Sequence, residues 1–202
     1  PARKNPHAVI DAFCQAFPPS VPDVALVIKC QRGHTFPAAY ERLRASVASD
    51  RRIHLVETTM SRETLTGLQS VVDSYVSLHR AEGLGLGLAE AMALGKPVIG
   101  TGYSGNLDFM NEHNALLVNY HLIPLTAEDY IEWRGQHWAA ADSGHAAAHM
   151  RRLYEDRSFA RALGERGRAT ILKDWSPVAA GSRIRARLDA VNASLAGRTH
   201  VS

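Results

Sequence analysis

Long apolar runs, cysteines and an excess of charge of one sign are all scarce in this 202-residue sequence. No apolar run approaches the ~18 residues that a spanning helix needs, and the first residues contain no apolar signal-peptide core. The two cysteines, Cys14 and Cys30, exclude a disulfide scaffold and fit a reducing compartment. We therefore expect a cytoplasmic protein with no membrane span.

The formal net charge of +3 is too small to indicate a nucleic-acid-binding surface. The arginines after residue 150 alternate with alanine, leucine and acidic residues at helical spacing, without interleaved aromatic residues. We interpret them as solvated helix faces and expect no nucleic acid partner. The hydrophobic fraction of 46% excludes a disordered chain and allows a globular core.

Short apolar segments alternate with segments of helical pattern in the first part of the chain. Five of them lack the alternation of a half-exposed strand and so predict strands that are buried on both faces. They are residues 23–29, 52–57, 73–78, 97–101 and 115–118. Alternation of strands and helices with short links predicts a parallel sheet with right-handed crossovers.

Helical patterns fill the links between these strands. The first helix is predicted from four residues on one face: Ile10, Phe13, Cys14 and Phe17. This arrangement places the Cys14 thiol in the core. Further helices are predicted over 38–48, from the N-cap Ser61, over 86–94 and from 104–106. After residue 125 we expect no strands, and residues 126–195 are interpreted as three or four helices.

One loop between a strand and a helix carries three alternating glycines, Gly83, Gly85 and Gly87. Glycine lets the backbone approach a ligand, and the N–H groups at the start of a helix favour an anion. Such loops lie at the carboxyl ends of parallel strands, where ligands bind. The spacing differs from the G-x-G-x-x-G of dinucleotide sites, and no acid ends the next strand, which disfavours NAD without excluding it.

Two glutamates, Glu82 and Glu90, flank these glycines with seven residues between them. Glu82 lies in the loop, and Glu90 lies about one turn into the helix, off its apolar face. A carboxylate can accept hydrogen bonds from both hydroxyls of a ribose. From the residues alone, an exposed helix acid is the stronger interpretation of Glu90. His79, beside the loop, can line a ligand pocket or form structural hydrogen bonds.

His145 and His149 lie one helical turn apart, as two ligands of a metal would. No third ligand is obvious, and the sequence lacks the glutamate of an H-E-x-x-H motif. We therefore expect no zinc site there.

Residues 79–110, HRAEGLGLGLAEAMALGKPVIGTGYSGNLDFM, resemble the E-x7-E region of the retaining glycosyltransferases of family 4, which have the GT-B fold. The common form in that family is EGFG, followed by EAMA and GKPV. Residues 3–13 resemble the family's K-G-x-x-x-x-I-E-A-F helix, and residues 61–78 resemble its segment before the site. The C-terminal helices fit as well, so the resemblance covers nearly the whole chain.

The resemblance implies an α/β fold with a Rossmann-like, doubly wound parallel sheet followed by C-terminal helices. Residues 1–202 would form the nucleotide-sugar-binding C-terminal domain of a GT-B enzyme, with a helical tail at about 126–195. The family's domain opens with a strand that ends just before the position of Arg3. We therefore expect a domain that is truncated at its N-terminus, lacks that interior strand and is of doubtful stability alone.

The resemblance also implies retaining transfer of a hexose from a nucleoside-diphosphate sugar. Glu82 would contact the donor sugar or its developing charge, and Lys4 would stabilise the leaving diphosphate, so both are candidate catalytic residues. Candidate donor-binding residues are Gly83, Leu84, Gly85, Glu90 and His79, the last from its position beside the loop. Leu84 stands where the family has phenylalanine, a change that we expect to alter the packing behind the loop.

Family 4 enzymes generally use no metal, so we expect no metal or other cofactor. The acceptor, a glycan, lipid or small molecule, would bind through an N-terminal domain outside this chain, and the isolated chain would transfer little. Two alternatives remain, a non-catalytic nucleotide-binding module and, less favoured, an NAD-binding Rossmann domain. The sequence does not specify the sugar, the base or the acceptor.

Overall fold

The computed structural model describes residues 2–31 and 33–198. The strands in these residues are β1 (Leu26–Lys29), β2 (Ile53–Val56), β3 (Tyr75–Ser77), β4 (Val98–Thr101), β5 (Leu116–Val118), β6 (Tyr120–Pro124) and β7 (His137–Ala141). The α-helices are α1 (Pro6–Ala16), α2 (Pro37–Ala48), α3 (Arg62–Val71), α4 (Leu86–Ala93), α5 (Ser143–Glu155), α6 (Arg157–Asp174) and α7 (Pro177–Arg198).

The first five strands are parallel and lie where the apolar segments predict them. β1 pairs with β2, and β3, β4 and β5 form a second sheet in that order. Val98 and Ile99 of the central strand β4 belong to two different hydrophobic clusters, because successive side chains of a strand point to opposite faces. The predicted α/β class is confirmed. Burial on both faces holds for β4, whereas β1 and β2 each expose one residue, Val27 and His54.

Helices cover both faces of the sheet formed by β3, β4 and β5. On one face, Phe13 of α1 and Met150 of α5 belong to the same buried cluster. The second cluster contains Met92 of α4 and Ile171 of α6. Because the helices occupy the faces, the loops at the carboxyl ends of the strands remain accessible.

The parallel strands form two sheets where one was expected, because no pairing joins β1 to β3 within residues 2–31 and 33–198. The core is nevertheless continuous, since Ile53 of β2 and Leu116 of β5 belong to one cluster. The interior strand that the resemblance places before Arg3 stays a prediction.

The prediction that strands cease after residue 125 is wrong. β6 and β7 form an antiparallel hairpin in which Ile123 lies opposite Trp138. The alanines of β7 would suit a helix, but the segment is fixed as a strand by this pairing. It is also anchored to the loop after β3, because the backbone N–H of Ala139 donates to the carbonyl of Arg80 at 2.9 Å. The remainder confirms the predicted C-terminal helices, which are α5, α6 and α7.

Two local predictions are also corrected. Cys14 is exposed, because the buried face of α1 is shifted towards its alanines, Ala12 and Ala16. The helix expected from residue 104 is only a 3-10 turn, Gly105–Asp108.

The last helix, α7, leaves an apolar stripe in solvent. Ile184, Leu188 and Leu195 are 56 to 61% exposed, at spacings that put them on one helix face. Even so, no helix in the described part of the chain is long and apolar enough to cross a membrane.

Candidate functional site at the strand ends

Both glutamates of the sequence motif lie where β3 leads into α4. The loop that follows β3 and the turn that follows β4 leave the same edge of the sheet, because the two strands are parallel. The beginning of the chain is bound to this edge. The N–H of Arg80 donates to the carbonyl of Arg3 at 2.8 Å, and the Asn5 side-chain amide donates to the carbonyl of Leu78 at 3.1 Å.

Glu82 is held between two cations. The ammonium of Lys4 contacts Oε1 of Glu82, and Nη1 of Arg3 lies 3.2 Å from Oε2. The Glu82 side chain is 8% exposed, whereas the side chains of Arg3 and Lys4 are 47% and 56% exposed. Burial acts to raise the pKa of Glu82, but the hydrogen bond from Lys4 and the charges of Lys4 and Arg3 outweigh it, so the pKa is lowered. The site therefore contains an ionised carboxylate beside two solvent-accessible cations.

The turn after β4 is hydrogen-bonded to the backbone of Glu82. The N–H of Glu82 donates to Oγ of Ser104 at 2.8 Å, and the N–H of Gly105 donates to the carbonyl of Glu82 at 3.0 Å. Ser104 has a φ of 74°, a conformation that side chains rarely adopt. A Cβ at Gly105 would lie 2.0 Å from the carbonyl oxygen of Gly83, so only glycine fits there. The side chain of Ser104 thus supports the Glu82 loop and makes no helix cap.

His79 lies beneath this loop and is wholly buried. Its Nε2 is 3.2 Å from the carbonyl of Tyr103 and 3.0 Å from Oδ1 of Asn106, both acceptors, so Nε2 carries the proton. Nδ1 then accepts from Oγ of Ser77 at 3.1 Å. Burial lowers the pKa of His79, against the opposing effect of its hydrogen bonds. Both ring nitrogens of His79 are therefore engaged, and the residue exposes no surface.

Gly85 connects the loop to α4 with a φ of 87°, which a residue with a side chain would adopt only under strain. Gly83 has open space around it, so its backbone is accessible to a ligand. Leu84 between them is 42% exposed. The expectation that this residue alters the packing behind the loop stays a prediction.

Glu90 lies one turn into α4, and its side chain is 19% exposed. It is therefore more buried than the surface acid that its sequence position alone favours. Nη2 of Arg62, from the first residue of α3, lies 2.7 Å from Oε1 of Glu90. The angles are not those of a hydrogen bond, and Oε1 has no hydrogen-bond partner among the described residues. Glu90 therefore has a counter-charge at Oε1, although the pair does not meet hydrogen-bond geometry.

Tyr75 of β3 lies near both carboxylates. Burial raises the pKa of its phenol, and the charges of Glu82 and Glu90 raise it further. Sequence reasoning missed Tyr75, Arg62 and Ser104 as neighbours of the glutamates. Tyr75 begins β3, Arg62 begins α3 and Ser104 follows β4. These positions are a weak signal in the sequence, since each residue belongs to a different element.

The histidine pair of α5 is separate from this edge. The rings of His145 and His149 lie 4.2 Å apart, and each is bound to β5 or its end. Asn119 N–H donates to Nδ1 of His145 at 3.1 Å, and Nε2 of His149 donates to the carbonyl of Leu117 at 3.2 Å. The pair borders an open cavity of about 750 Å³ beside β5. No three side chains among the described residues form a cluster that could hold a metal ion.

A family model described as glycosyl transferases group 1 matches residues 2–132, more than half of the chain. No curated protein sequence matches the chain.

Solved structures resemble the chain at low sequence identity. HepE from Anabaena, in complex with UDP-glucose, superposes with a TM-score of 0.72 at 17% identity, covering 94% of this chain and 46% of that one. Sucrose-phosphate synthase from Thermosynechococcus elongatus gives 0.69 at 22% identity, with coverages of 95% and 44%. The C-terminal domain of the group 1 family protein LpcC from Francisella tularensis gives 0.64 at 18%, with coverages of 88% and 82%. The shared fold is the Rossmann-like domain of GT-B proteins, and the chain spans less than half the length of the first two structures.

Proposed function

Because the chain belongs to the group 1 glycosyl transferases, we propose that it supplies the nucleotide-sugar-binding half of a retaining hexosyltransferase of family 4. In this proposal residues 1–202 are a C-terminal domain, and the sugar passes from a nucleoside diphosphate to a glycan, lipid or small-molecule acceptor. The chain spans less than half of the HepE and sucrose-phosphate synthase structures. Acceptor contacts are accordingly assigned to a further domain.

The proposal depends chiefly on the environments of Glu82 and Glu90 at one sheet edge. Glu82 is ionised and lies beside Arg3 and Lys4, whereas Glu90 keeps a buried acceptor atom without a hydrogen bond. A nucleoside diphosphate has the complementary groups. Its phosphates match the two cations, and its ribose hydroxyls can donate to Glu90.

Lys4 and Glu82 would stabilise opposite charges during the reaction. As the bond between the anomeric carbon and the diphosphate oxygen breaks, negative charge grows on the diphosphate and positive charge on the sugar. The Lys4 ammonium stabilises the first, and the Glu82 carboxylate stabilises the second. Lys4 can turn from Glu82 towards a phosphate, because more than half of its side-chain surface is exposed.

The loop between the glutamates would hold the donor through its backbone. Gly83, Leu84 and Gly85 lead into the first N–H groups of α4, which point towards the strand ends and attract an anion. His79 supports this loop from below through Tyr103 and Asn106. Its part in donor binding is therefore proposed to be positioning.

The proposed chemistry calls for no metal or other cofactor, because side-chain cations of the chain lie beside the position assigned to the leaving group. Its two cysteines are free, as expected of a protein in a reducing compartment. This feature supports a cytoplasmic location, where nucleotide sugars would be its small-molecule partners.

Calorimetric titration of the chain with UDP, GDP and NAD tests the donor assignment. UDP is the first choice, because the similar HepE structures contain UDP or UDP-glucose. We expect saturable binding of UDP or GDP and binding of NAD no tighter than its diphosphate group explains. Binding of NAD more tightly than either nucleoside diphosphate would contradict the proposal and favour a redox Rossmann domain.

A transfer assay tests the proposal that this chain is only the donor-binding half of an enzyme. With a UDP-sugar and a panel of acceptors, the 202-residue chain should bind nucleotide and yet turn over little or nothing. Transfer at rates typical of intact enzymes, on the order of 10 per second, would contradict the need for a second domain.

A further inference from the structure

Three buried side-chain atoms of the described residues lack a hydrogen-bond partner: Arg80 Nε, Glu90 Oε1 and Trp138 Nε1. Buried polar atoms are rarely left unpaired, because desolvating them without a partner is costly. The proposed ribose contact accounts for the Glu90 atom. The other two atoms are donors, and nothing in the proposed function uses them.

The two side chains that carry these donors are neighbours. The guanidinium carbon of Arg80 is 4.9 Å from the centroid of the Trp138 ring, and Trp138 is only 4% exposed. The Arg80 backbone is fixed on both sides, because its N–H donates to Arg3 and its carbonyl accepts from Ala139 of β7. The pair therefore lies between the beginning of the chain and the β6–β7 hairpin, two residues before Glu82.

Arg80 also differs from the other cations of this edge in its partners. Arg3 and Lys4 both contact Glu82, whereas the Arg80 side chain has no ion pair or hydrogen bond within the described residues. A guanidinium that lies over an aromatic ring can still bind a phosphate or carboxylate through the N–H donors at its edge. The Nη atoms of Arg80 are not among the buried unpaired atoms, whereas Nε is. The indole N–H of Trp138 adds a neutral donor at the same place.

We propose that Arg80 and Trp138 form an anion subsite beside Glu82, which binds phosphate or carboxylate oxygens of a ligand. The inference rests on the proposed function, since it takes the Glu82 edge to be the donor site. The anion belongs either to the diphosphate of the donor or to an acidic acceptor. Both sources offer the same oxygens to the same two donors, and the experiment separates them.

The test uses three variants of the 202-residue chain. Arg80→Gln removes the charge, and Trp138→Phe removes the indole N–H but keeps an aromatic face. Arg152→Gln is the matched control, because the Arg152 guanidinium on α5 also lies over a ring, that of Phe159 at 3.7 Å, and contacts neither Arg80 nor Glu82 in an ion pair or hydrogen bond of the described residues. Thermal unfolding verifies that each variant is folded before UDP and uridine are titrated by calorimetry. Inorganic phosphate is titrated by NMR, alone and in the presence of uridine.

If the donor diphosphate is the anion, Arg80→Gln weakens UDP binding about tenfold or more, and uridine binding changes less than about twofold. Trp138→Phe shows a smaller loss for UDP, and Arg152→Gln shows none. If the anion belongs to an acidic acceptor, UDP binding is unchanged in Arg80→Gln, but the phosphate affinity measured with uridine bound is lost. An equal loss for uridine and UDP, or no loss for either UDP or phosphate, would overturn the subsite.

Failure of the proposed function has a different signature. In that case the wild-type chain binds neither UDP nor uridine, and the phosphate titration still tests Arg80 and Trp138. Phosphate binding that disappears in Arg80→Gln supports the subsite without the donor assignment. Wild-type phosphate binding that is absent, or equal to that of Arg80→Gln, overturns the subsite.

Discussion

The surroundings of Glu82 and those of Glu90 differ, although one sequence motif contains both residues. Glu82 has two cations, backbone hydrogen bonds to a neighbouring loop and a buried histidine network beneath it. Glu90 has one exposed arginine, Arg62, and a buried oxygen without a hydrogen bond.

The difference indicates a division of labour between the carboxylates. A carboxylate that is ionised and held in place through its backbone suits stabilisation of charge in a transition state, because it needs little reorganisation. A carboxylate whose counter-charge is one exposed arginine, without hydrogen-bond geometry, suits a ligand that brings donors of its own. Each prediction below alters one side of this comparison.

Gly105→Ala should have the largest effect on stability, because it disrupts the hydrogen bonds between the turn after β4 and the backbone of Glu82. The new Cβ would lie 2.0 Å from the backbone oxygen of Gly83, and neither loop can move without losing the Glu82 hydrogen bonds. We expect a loss of unfolding free energy of about 3 kcal/mol in urea titrations. Gly83→Ala is the control, since open space surrounds that position, and it should change stability by less than about 1 kcal/mol. Similar losses of unfolding free energy for both variants would contradict this role of Gly105.

His79→Gln tests the network beneath the same loop. We expect a loss of about 1–3 kcal/mol at neutral pH, because buried hydrogen bonds are disturbed. The pKa of His79 is lowered in the folded protein, so protonation favours the unfolded state and stability falls as the pH drops below the ordinary value of 6.5. Unfolding free energies measured across this range should fall less steeply in the variant. An unchanged slope would mean that His79 does not titrate with unfolding.

Lys4→Met tests the ion pair on the exposed side of Glu82. The pKa of Glu82 is lowered in the folded protein, so its stabilising contribution is complete above the ordinary value of 4.5 and is lost as the pH falls through the folded pKa. Without Lys4 we expect the Glu82 pKa to rise in an NMR titration and stability at neutral pH to fall by about 1 kcal/mol. Lys173→Met, on the exposed side of α6, should leave the Glu82 titration unchanged. A Glu82 pKa that stays lowered in Lys4→Met would contradict this role.

Arg62→Ala should have the smallest effect on stability. The Arg62 side chain is 72% exposed, and solvent-exposed ion pairs contribute little. We expect a change below about 0.5 kcal/mol in urea unfolding. A loss of more than about 1 kcal/mol would mean that Glu90 is held as firmly as Glu82 and would remove the contrast.

Much of this edge could be predicted from the sequence, because its signals are local. Apolar runs such as residues 97–101 identify the strands, and the spacing of Glu82 and Glu90 identifies the loop and helix that carry them. The contacts of Arg62 with Glu90 could not be predicted, because they depend on where α3 starts relative to α4. The strained Ser104 was missed for the same reason, since its partner is the N–H of Glu82.

The errors in the fold have physical causes too. β7 is rich in alanine, and it becomes a strand only through its pairing with β6 and with Arg80. The pattern of large residues predicts a buried Cys14, because those residues alone do not define the whole buried face of α1. Ala12 and Ala16 are buried there as well, and they shift that face away from the thiol.

Titration of UDP into Glu90→Gln and Glu82→Gln tests the division between the carboxylates most directly. Glu90→Gln should weaken UDP binding about tenfold or more, because a charged acceptor for the ribose hydroxyls is lost. Glu82→Gln should bind UDP at least as tightly as the wild type, since Lys4 and Arg3 are then released towards the diphosphate. Wild-type affinity in Glu90→Gln, or an equal loss in both variants, would contradict the account.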